Sequence, residues 1–317
     1  MAESDVAAEL SKPLRLVAEL THRCLLGCPY CSNPLALELR DDELDAGTWS
    51  RVFKEAAALG VLHVHLSGGE PGARRDLVDI AANAREAGLA TNLITSGVGI
   101  TTRTMRDLWE AGLDHVQVSI QDADAVSADR IAGYRGAFQR KHALAAEAVR
   151  LGLPLTVNLV VHRANIERIS EMVVLALKLK ASRIEIAHVQ YHGWALKNCA
   201  ALMPTAEQVA RATALVEQLR RKHQGKIVID VVPLDDVGGF GRRWVTVTPS
   251  GRVVPGQAVE LIPGRTLWNV RDYALDDIWA NSPAFHAFRD TDVLPDDARL
   301  AELAAVQEDT PYTYRRM

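Results

Sequence analysis

Leu14-Arg15-Leu16-Val17-Ala18-Glu19-Leu20 leads within a few residues into Cys24-Leu25-Leu26-Gly27-Cys28-Pro29-Tyr30-Cys31. The first segment reads as a strand that ends where the thiols begin. Three of the chain's four cysteines fall in the second segment, spaced by three and then two residues, with an aromatic directly before the third. Thiolates on so short a loop suit three irons of a four-iron cluster and leave the fourth iron open to another ligand. Two plainer chemistries compete. With His22 as a fourth ligand the thiols make a Cys3His set for tetrahedral zinc, although zinc knuckles usually come as paired Cys-x2-Cys units and no second pair exists. A disulfide framework suits an even number of thiols in a secreted chain, and the loop offers neither feature.

Outward from this junction one unit repeats. After the acidic run 41–45, read as a solvated approach to a helix, residues 48–59 place Val52, Phe53, Ala56 and Leu59 on one helical face, and Gly60 closes the helix. A strand follows at 61–66. Helices at 76–87, 105–111 and 137–150, and one through Ile166, Ile169, Met172 and Val173, precede strands at 90–95, 115–120, 155–161 and 183–188. Strands alternating with helices of this length predict right-handed crossovers and a parallel sheet. The expected fold is therefore α/β: a partial (β/α)6 TIM-like barrel over 10–225, with its chemistry on the loops at the C-terminal ends of six strands. A helix at 205–223 ends in Arg220-Arg221-Lys222-His223, positive charge that complements a helix dipole. Beyond it the texture changes, and 226–317 is expected to form a small α+β unit. That unit has a hairpin over 244–254, turning at Pro249-Ser250-Gly251, and helices at 275–279 and 283–288. His63 and His65 share one face of their strand, as a metal pair or, the preferred reading, as packing groups.

With 317 residues there is room for one large domain and an appendage. A net charge of −4 gives no reason to expect nucleic acid or an acidic membrane as partner. Met1-Ala2-Glu3-Ser4-Asp5 is acidic and followed by no apolar core, so no signal peptide is expected. No apolar run approaches the roughly 18 residues that suggest a membrane helix. Few cysteines and no export signal point to a reducing, cytoplasmic setting.

The Cys-x3-Cys-x2-Cys loop resembles the signature of the radical S-adenosylmethionine (SAM) enzymes. Ser67-Gly68-Gly69-Glu70-Pro71, at the end of the next strand, matches that family's Gly-Gly-Glu-Pro motif. The resemblance implies a [4Fe–4S] cluster on Cys24, Cys28 and Cys31, with the amine and carboxylate of SAM on the open iron. The protein must then anchor the amine, carboxylate and ribose of SAM. Backbone acceptors at Gly68 and Gly69, with the carboxylate of Glu70 and with Pro71 beside them, suit the ammonium; otherwise the motif is a turn after a strand. Thr95, Ser96 and Ser119 offer hydroxyls for the ribose, or caps for turns and helices. Arg135 suits the carboxylate because a guanidinium makes paired bonds to it, and Arg130 is its rival. Asn158, Val161 and Gln190 are weaker candidates for the adenine. Cys199 reads as an ordinary buried thiol.

A closer resemblance is to the PqqE family of peptide cyclases in pyrroloquinoline quinone (PQQ) biosynthesis. It is carried by Glu19-Leu20-Thr21-His22-Arg23-Cys24, by Tyr30-Cys31-Ser32-Asn33-Pro34, by residues 91–98 and 114–122, by His188-Val189-Gln190-Tyr191-His192-Gly193-Trp194-Ala195, and by Arg242-Arg243-Trp244 and Trp268-Asn269-Val270-Arg271. It implies a 5′-deoxyadenosyl radical that takes hydrogen from a glutamate side chain, and a carbon–carbon bond between that glutamate and a tyrosine of a precursor peptide. It also implies a PqqD-like peptide chaperone and an external electron donor. The family's C-terminal SPASM domain holds auxiliary clusters on cysteines, and here the pattern departs. Asp236 and Gly256 stand where ligand cysteines are expected, Gln257 replaces a histidine, and 296–308 replaces the cysteine-rich segment. Auxiliary clusters are not expected to form in the family manner. Two other readings stay open at this level: a radical SAM enzyme acting on another peptide, and a paralogue that docks peptide or chaperone without turnover. No side chain identifies itself as a general base.

Overall fold

Alternation of buried and more exposed residues along β1 (Arg15–Glu19) sets Leu16 and Ala18 into the core, and the strands at 63–67, 90–95 and 183–188 follow the same rule. The computed structural model describes residues 12–232, 243–256 and 266–285. In chain order the next elements are α1 (Ala46–Leu59), β2 (His63–Ser67), α2 (Leu77–Glu86), β3 (Ala90–Thr95), α3 (Thr102–Glu110) and β4 (His115–Ser119). Then come α4 (Ala125–Ala132), α5 (Ala137–Arg150), β5 (Leu155–Val161), α6 (Ile169–Lys178), β6 (Arg183–His188), α7 (Gly193–Lys197) and α8 (Cys199–Leu202). The remainder is α9 (Ala206–Lys222), β7 (Val228–Val232), β8 (Trp244–Val247), β9 (Val253–Val254) and α10 (Leu275–Asn281).

The strands form one nine-stranded sheet in the order β7-β6-β5-β4-β3-β2-β1-β8-β9. Every pairing from β7 to β8 is parallel, and only β9 runs antiparallel, against β8. The expected α/β barrel-type wall is therefore present, with six strands in sequential order at its centre. The sheet does not stop near Gly225: β7 extends it beyond β6, and β8 joins the other side beside β1. The hairpin at 244–254 is present with register Thr246↔Val254, but its first strand also serves the main sheet. Of the expected helix at 283–288, residues beyond 285 lie outside the described ones.

Local chemistry explains the helix ends. The Asp45 side chain accepts from the Thr48 backbone N–H at 2.7 Å, so the acidic run ends in a cap, and Thr205 and Gln208 form a reciprocal capping box on α9. Trp49 and Phe53 stack at 5.6 Å on the buried face of α1. The sequence reading lacked α4, α7 and α8. Each is short, and α7 and α8 follow the last central strand directly.

Inside the wall, a polar ladder crosses four strands. Asn92 Nδ2 donates to His65 Nδ1 at 2.9 Å, Asn92 Oδ1 lies 2.6 Å from His115 Nδ1, and Thr156 Oγ1 lies 3.0 Å from His115 Nε2. His65 thus packs into the sheet, while His63 is exposed. Burial, helped by the charge of Arg15, lowers the His65 pKa from 6.5 to about 4. A histidine depressed in the fold contributes stability above its unfolded pKa and loses it as pH falls toward the folded value. Thermal unfolding should therefore show stability falling between pH 6.5 and about 4, by at most roughly 3.5 kcal/mol from this residue at about 1.4 kcal/mol per unit. His65→Gln should flatten that slope, and an unchanged slope would contradict the assignment.

Candidate active site

The thiol loop is held from several sides. Leu20 N–H donates to the Ser67 carbonyl at 2.9 Å, which prolongs the β1–β2 pairing toward the cysteines. Arg23 makes paired contacts to the Glu43 carboxylate at 3.2 and 3.1 Å and reaches the Ala73 carbonyl at 2.9 Å. Gly27 N–H donates to the Ala132 carbonyl at the end of α4 at 2.9 Å. There the backbones meet so closely that a Cβ on Gly133 would stand 3.1 Å from the Gly27 Cα. From beyond β6, Ala195 N–H donates to the Cys31 carbonyl at 3.0 Å and Asn198 Nδ2 to the Pro29 carbonyl at 3.0 Å. Leu26, Val98, Ala132 and Ala137 form an apolar cluster against which Cys24 and Cys28 pack.

Cys24, Cys28 and Cys31 are half-buried reduced thiols. Desolvation pushes the Cys28 thiol up to about 12, so this sulfur ionises readily only beside a compensating cation such as iron. No three His, Cys, Asp or Glu side chains converge on a single ion among the described residues. A four-iron cube does not ask them to, because it places each thiolate on a different iron. Zinc does ask it, and the proposed fourth zinc ligand is engaged elsewhere: His22 Nδ1 accepts from the Glu38 N–H at 3.1 Å, and its Nε2 faces the Glu19 carboxylate at 3.5 Å. The donor set fits an iron–sulfur cluster better than zinc.

The Gly68-Gly69-Glu70-Pro71 strap lies directly against the segment leading to the cysteines. Gly69 N–H donates to the Thr21 carbonyl at 2.6 Å and Glu70 N–H to the Arg23 carbonyl at 2.8 Å. A Cβ on Gly69 would stand 2.5 Å from the Arg23 oxygen, so only glycine permits the approach. Glu70 is fully buried, and its carboxylate accepts from Gly72 N–H at 2.9 Å, Thr95 Oγ1 at 2.7 Å, Ser96 N–H at 2.7 Å and the Ser96 hydroxyl. Thr95 also accepts from Gly97 N–H at 2.9 Å. The Glu70 and Thr95 side chains, expected at the ligand, are thus engaged in stitching the strap to the end of β3, and Pro71 opens the short turn that completes it.

Ser119 ends β4 at the same rim. Arg135 is exposed on the turn between α4 and α5, which Asp129 shapes by accepting from Gly136 N–H at 2.5 Å and Phe138 N–H at 2.8 Å. Neither Arg135 nor Arg130 has a partner among the described residues, so the geometry keeps both as candidates. Asn158 Oδ1 is buried without a hydrogen bond, Val161 is buried, and Gln190 is exposed. The sequence reading missed Lys141. This residue is fully buried, donates to the Ser119 carbonyl at 2.9 Å and to Gln121 Oε1 at 2.8 Å, and has its pKa lowered to about 8 by burial. The signal was available: Ala137, Lys141, Leu144, Ala145 and Ala148 form the buried stripe of α5, so a lysine occupies a core position.

The family profile of the Radical SAM superfamily matches residues 18–176, which span all of these contacts up to β5. A PqqA peptide cyclase of Methylocella silvestris is 56% identical over 299 residues, covering 92% of this chain and 80% of the relative. The PqqA peptide cyclase of Rhizobium meliloti is 53% identical over 298 residues, covering 92% and 80%. This chain belongs to the PqqA peptide cyclase family of radical SAM enzymes. The cofactors of that family are a [4Fe–4S] cluster and SAM. The fold is shared with Streptococcus suis SuiB bound to its precursor peptide SuiA, at a TM-score of 0.77 and 19% identity over 93% of this chain and 70% of that one. It is shared also with anSMEcpe bound to SAM and a peptide, at a TM-score of 0.68 and 14% identity over 87% and 82%. Of the positions expected to depart from the cysteine pattern, Gly256 is buried just past β9, whereas Asp236, Gln257 and 296–308 lie outside the described residues. No helix among the described residues is long and apolar enough to cross a membrane.

Proposed function

We propose that this enzyme is a PqqA peptide cyclase that joins a glutamate and a tyrosine side chain of a precursor peptide by a carbon–carbon bond. The observation that carries the reading is the joining of the three-thiol loop to the Gly68-Gly69 strap by backbone hydrogen bonds at one rim of a parallel wall. Cys24, Cys28 and Cys31 hold the cluster. Gly68, Gly69, Glu70, Pro71, Thr95, Ser119 and Arg135 form the SAM site, in which the glycine backbone meets the ammonium, Glu70 and Thr95 hold the strap in place, and Arg135 meets the carboxylate. When bound, the cluster and SAM supply one-electron chemistry that makes a carbon radical able to take hydrogen from the peptide. Residues 10–225 are the catalytic core. Residues 226–317 are a degenerate SPASM-like segment whose β7, β8 and β9 extend the core sheet. The partners are a PqqA-like peptide, a PqqD-like chaperone and an external electron donor, in the cytoplasm.

The test is anaerobic incubation of the reconstituted enzyme with SAM, reductant, PqqA-type peptide and PqqD-type chaperone. The expected products are 5′-deoxyadenosine and a peptide lighter by a pair of hydrogen atoms. 5′-Deoxyadenosine without a change in peptide mass would move the substrate to another peptide, a reading that the altered residues at 236 and 256 favour. No 5′-deoxyadenosine from a cluster-loaded chain would leave only docking without turnover.

A further inference from the structure

Segment 38–44 follows the thiol loop and bridges two parts of the molecule, with one carboxylate for each. Toward the C-terminal hairpin, Glu38 accepts from Thr248 Oγ1 at 2.9 Å, Ser250 N–H at 2.6 Å and Arg252 Nε at 3.0 Å, all in the turn between β8 and β9. Leu44 N–H adds a bond to the Pro249 carbonyl of the same turn at 2.8 Å. Toward the cysteines, Glu43 gathers three side chains. Arg23 makes its paired contacts at 3.2 and 3.1 Å, Arg74 Nη1 lies at 3.7 Å, and the Thr21 hydroxyl donates to the same carboxylate. The backbones of these three residues are themselves part of the junction between thiol loop and strap. The Thr21 and Arg23 carbonyls receive the Gly69 and Glu70 N–H groups. Arg74 closes the turn at the end of the strap, and its Nη1 also donates to the Leu20 carbonyl at 3.0 Å. The Glu38 and Glu43 side chains are each only 8% exposed, so water weakens these charge-assisted bonds little.

We propose that the β8–β9 hairpin braces the SAM site through this segment: Glu38 fastens the segment to the hairpin, and Glu43 fixes the strap in register with the thiol loop. The hairpin thereby has a task that needs no cysteine. The inference rests on the reading of Cys24, Cys28 and Cys31 as cluster ligands and of Gly68-Gly69 as the SAM strap. A ligand held by cluster and strap together binds most tightly when the spacing between them is fixed beforehand. Glu38 and Glu43 are positioning residues, because each acts through other groups and neither needs to touch SAM.

The test compares the full chain in four forms: the parent, Glu43→Gln, Glu38→Gln and Glu147→Gln. Glu147, whose arginine partners Arg106 and Arg150 lie on α3 and α5, controls for the loss of a two-arginine carboxylate elsewhere. Hydrogen–deuterium exchange of the apo forms, read by mass spectrometry, is expected to quicken at 20–24 and 68–74 in Glu43→Gln and Glu38→Gln only. After anaerobic reconstitution all four should carry the same iron. SAM affinity should fall by about tenfold or more in Glu43→Gln, as for the loss of one charge-assisted bond, and by a smaller factor in Glu38→Gln. The second variant guards against a folding defect in the first, because glutamine at 38 keeps an acceptor for Ser250 N–H and loses only the charge opposite Arg252. Unchanged SAM affinity in Glu43→Gln overturns the proposal even if exchange quickens, since the contacts would then only stitch the fold. An effect in Glu43→Gln with none in Glu38→Gln removes the hairpin and overturns the brace. An equal loss in Glu147→Gln does the same, by making the effect one of general stability. An iron-loaded parent that binds no SAM defeats the strap assignment and the proposal with it; quickened exchange in the variants tells that failure apart from a failure of the contacts.

Discussion

Alanine at Cys24, Cys28 and Cys31 together leaves a chain that takes up no iron or acid-labile sulfide on anaerobic reconstitution, where the parent takes up about four irons per chain. The loss is complete because the donors are concentrated. The one other cysteine, Cys199, is buried on α8 with its pKa raised by desolvation, and it does not belong to the loop. The variant nonetheless folds, because the loop is anchored by backbone groups: Gly27 to Ala132, the Cys31 carbonyl to Ala195 and the Pro29 carbonyl to Asn198. Circular dichroism and thermal unfolding of the apo forms should therefore agree closely between variant and parent. Iron and sulfide analysis decides among the alternatives. About eight irons in the parent, some surviving in the variant, would show a second site built from residues in 226–317. Stoichiometric zinc without sulfide would restore the zinc reading.

The parallel wall was legible because its signals are periodic. Helices such as α5 and α9 and the six central strands follow from apolar spacing and from glycines and prolines at their ends. The thiol loop stands out in the sequence by its residue types and spacing, and the glycine strap, which alone reads equally well as a turn, gains meaning from its place at the end of the next strand; the fold brings the two together. The roles within the strap were less legible. Glu70 reads as a ligand in sequence because a carboxylate beside two glycines suits an ammonium, but only the fold brings Thr95 and Ser96 onto it. Lys141 hid inside an alanine-rich helix, since a lone lysine at a core position becomes informative only when Ser119 and Gln121, from another strand end, are seen to receive it. The sheet's continuation past residue 225 was hidden for a different reason. The partners of β1 lie far apart in the chain, and no local pattern announces that Val17 pairs with Thr246.

Gly68→Ala is expected to cost both stability and SAM binding, well beyond what an ordinary glycine substitution does. Two separate penalties meet at this position. Its backbone sits at φ +126, a region that residues with a Cβ rarely adopt, and the added Cβ would drive into the Thr21 carbonyl oxygen while standing 3.1 Å from the Thr21 nitrogen. That oxygen is the acceptor for Gly69 N–H, so relief of the clash breaks the bond that joins the strap to the thiol loop. Backbone strain and a displaced buried contact together place the loss at roughly 3–5 kcal/mol. Gly88 supplies the control: its φ is +84, but nothing lies within 4 Å of an added Cβ. Gly88→Ala carries the conformational penalty alone, about 1–2 kcal/mol. Thermal unfolding of the apo forms and SAM binding to the reconstituted forms should separate the two variants, with affinity falling at least about tenfold, a loss of about 1.4 kcal/mol, in Gly68→Ala and unchanged in Gly88→Ala. Equal behaviour would mean that the strap tolerates a side chain where the backbone of Thr21 stands, and the strap's place in the SAM site would then have to be given up. Loss of stability with SAM affinity intact would keep the strap as a structural element and remove it from ligand binding.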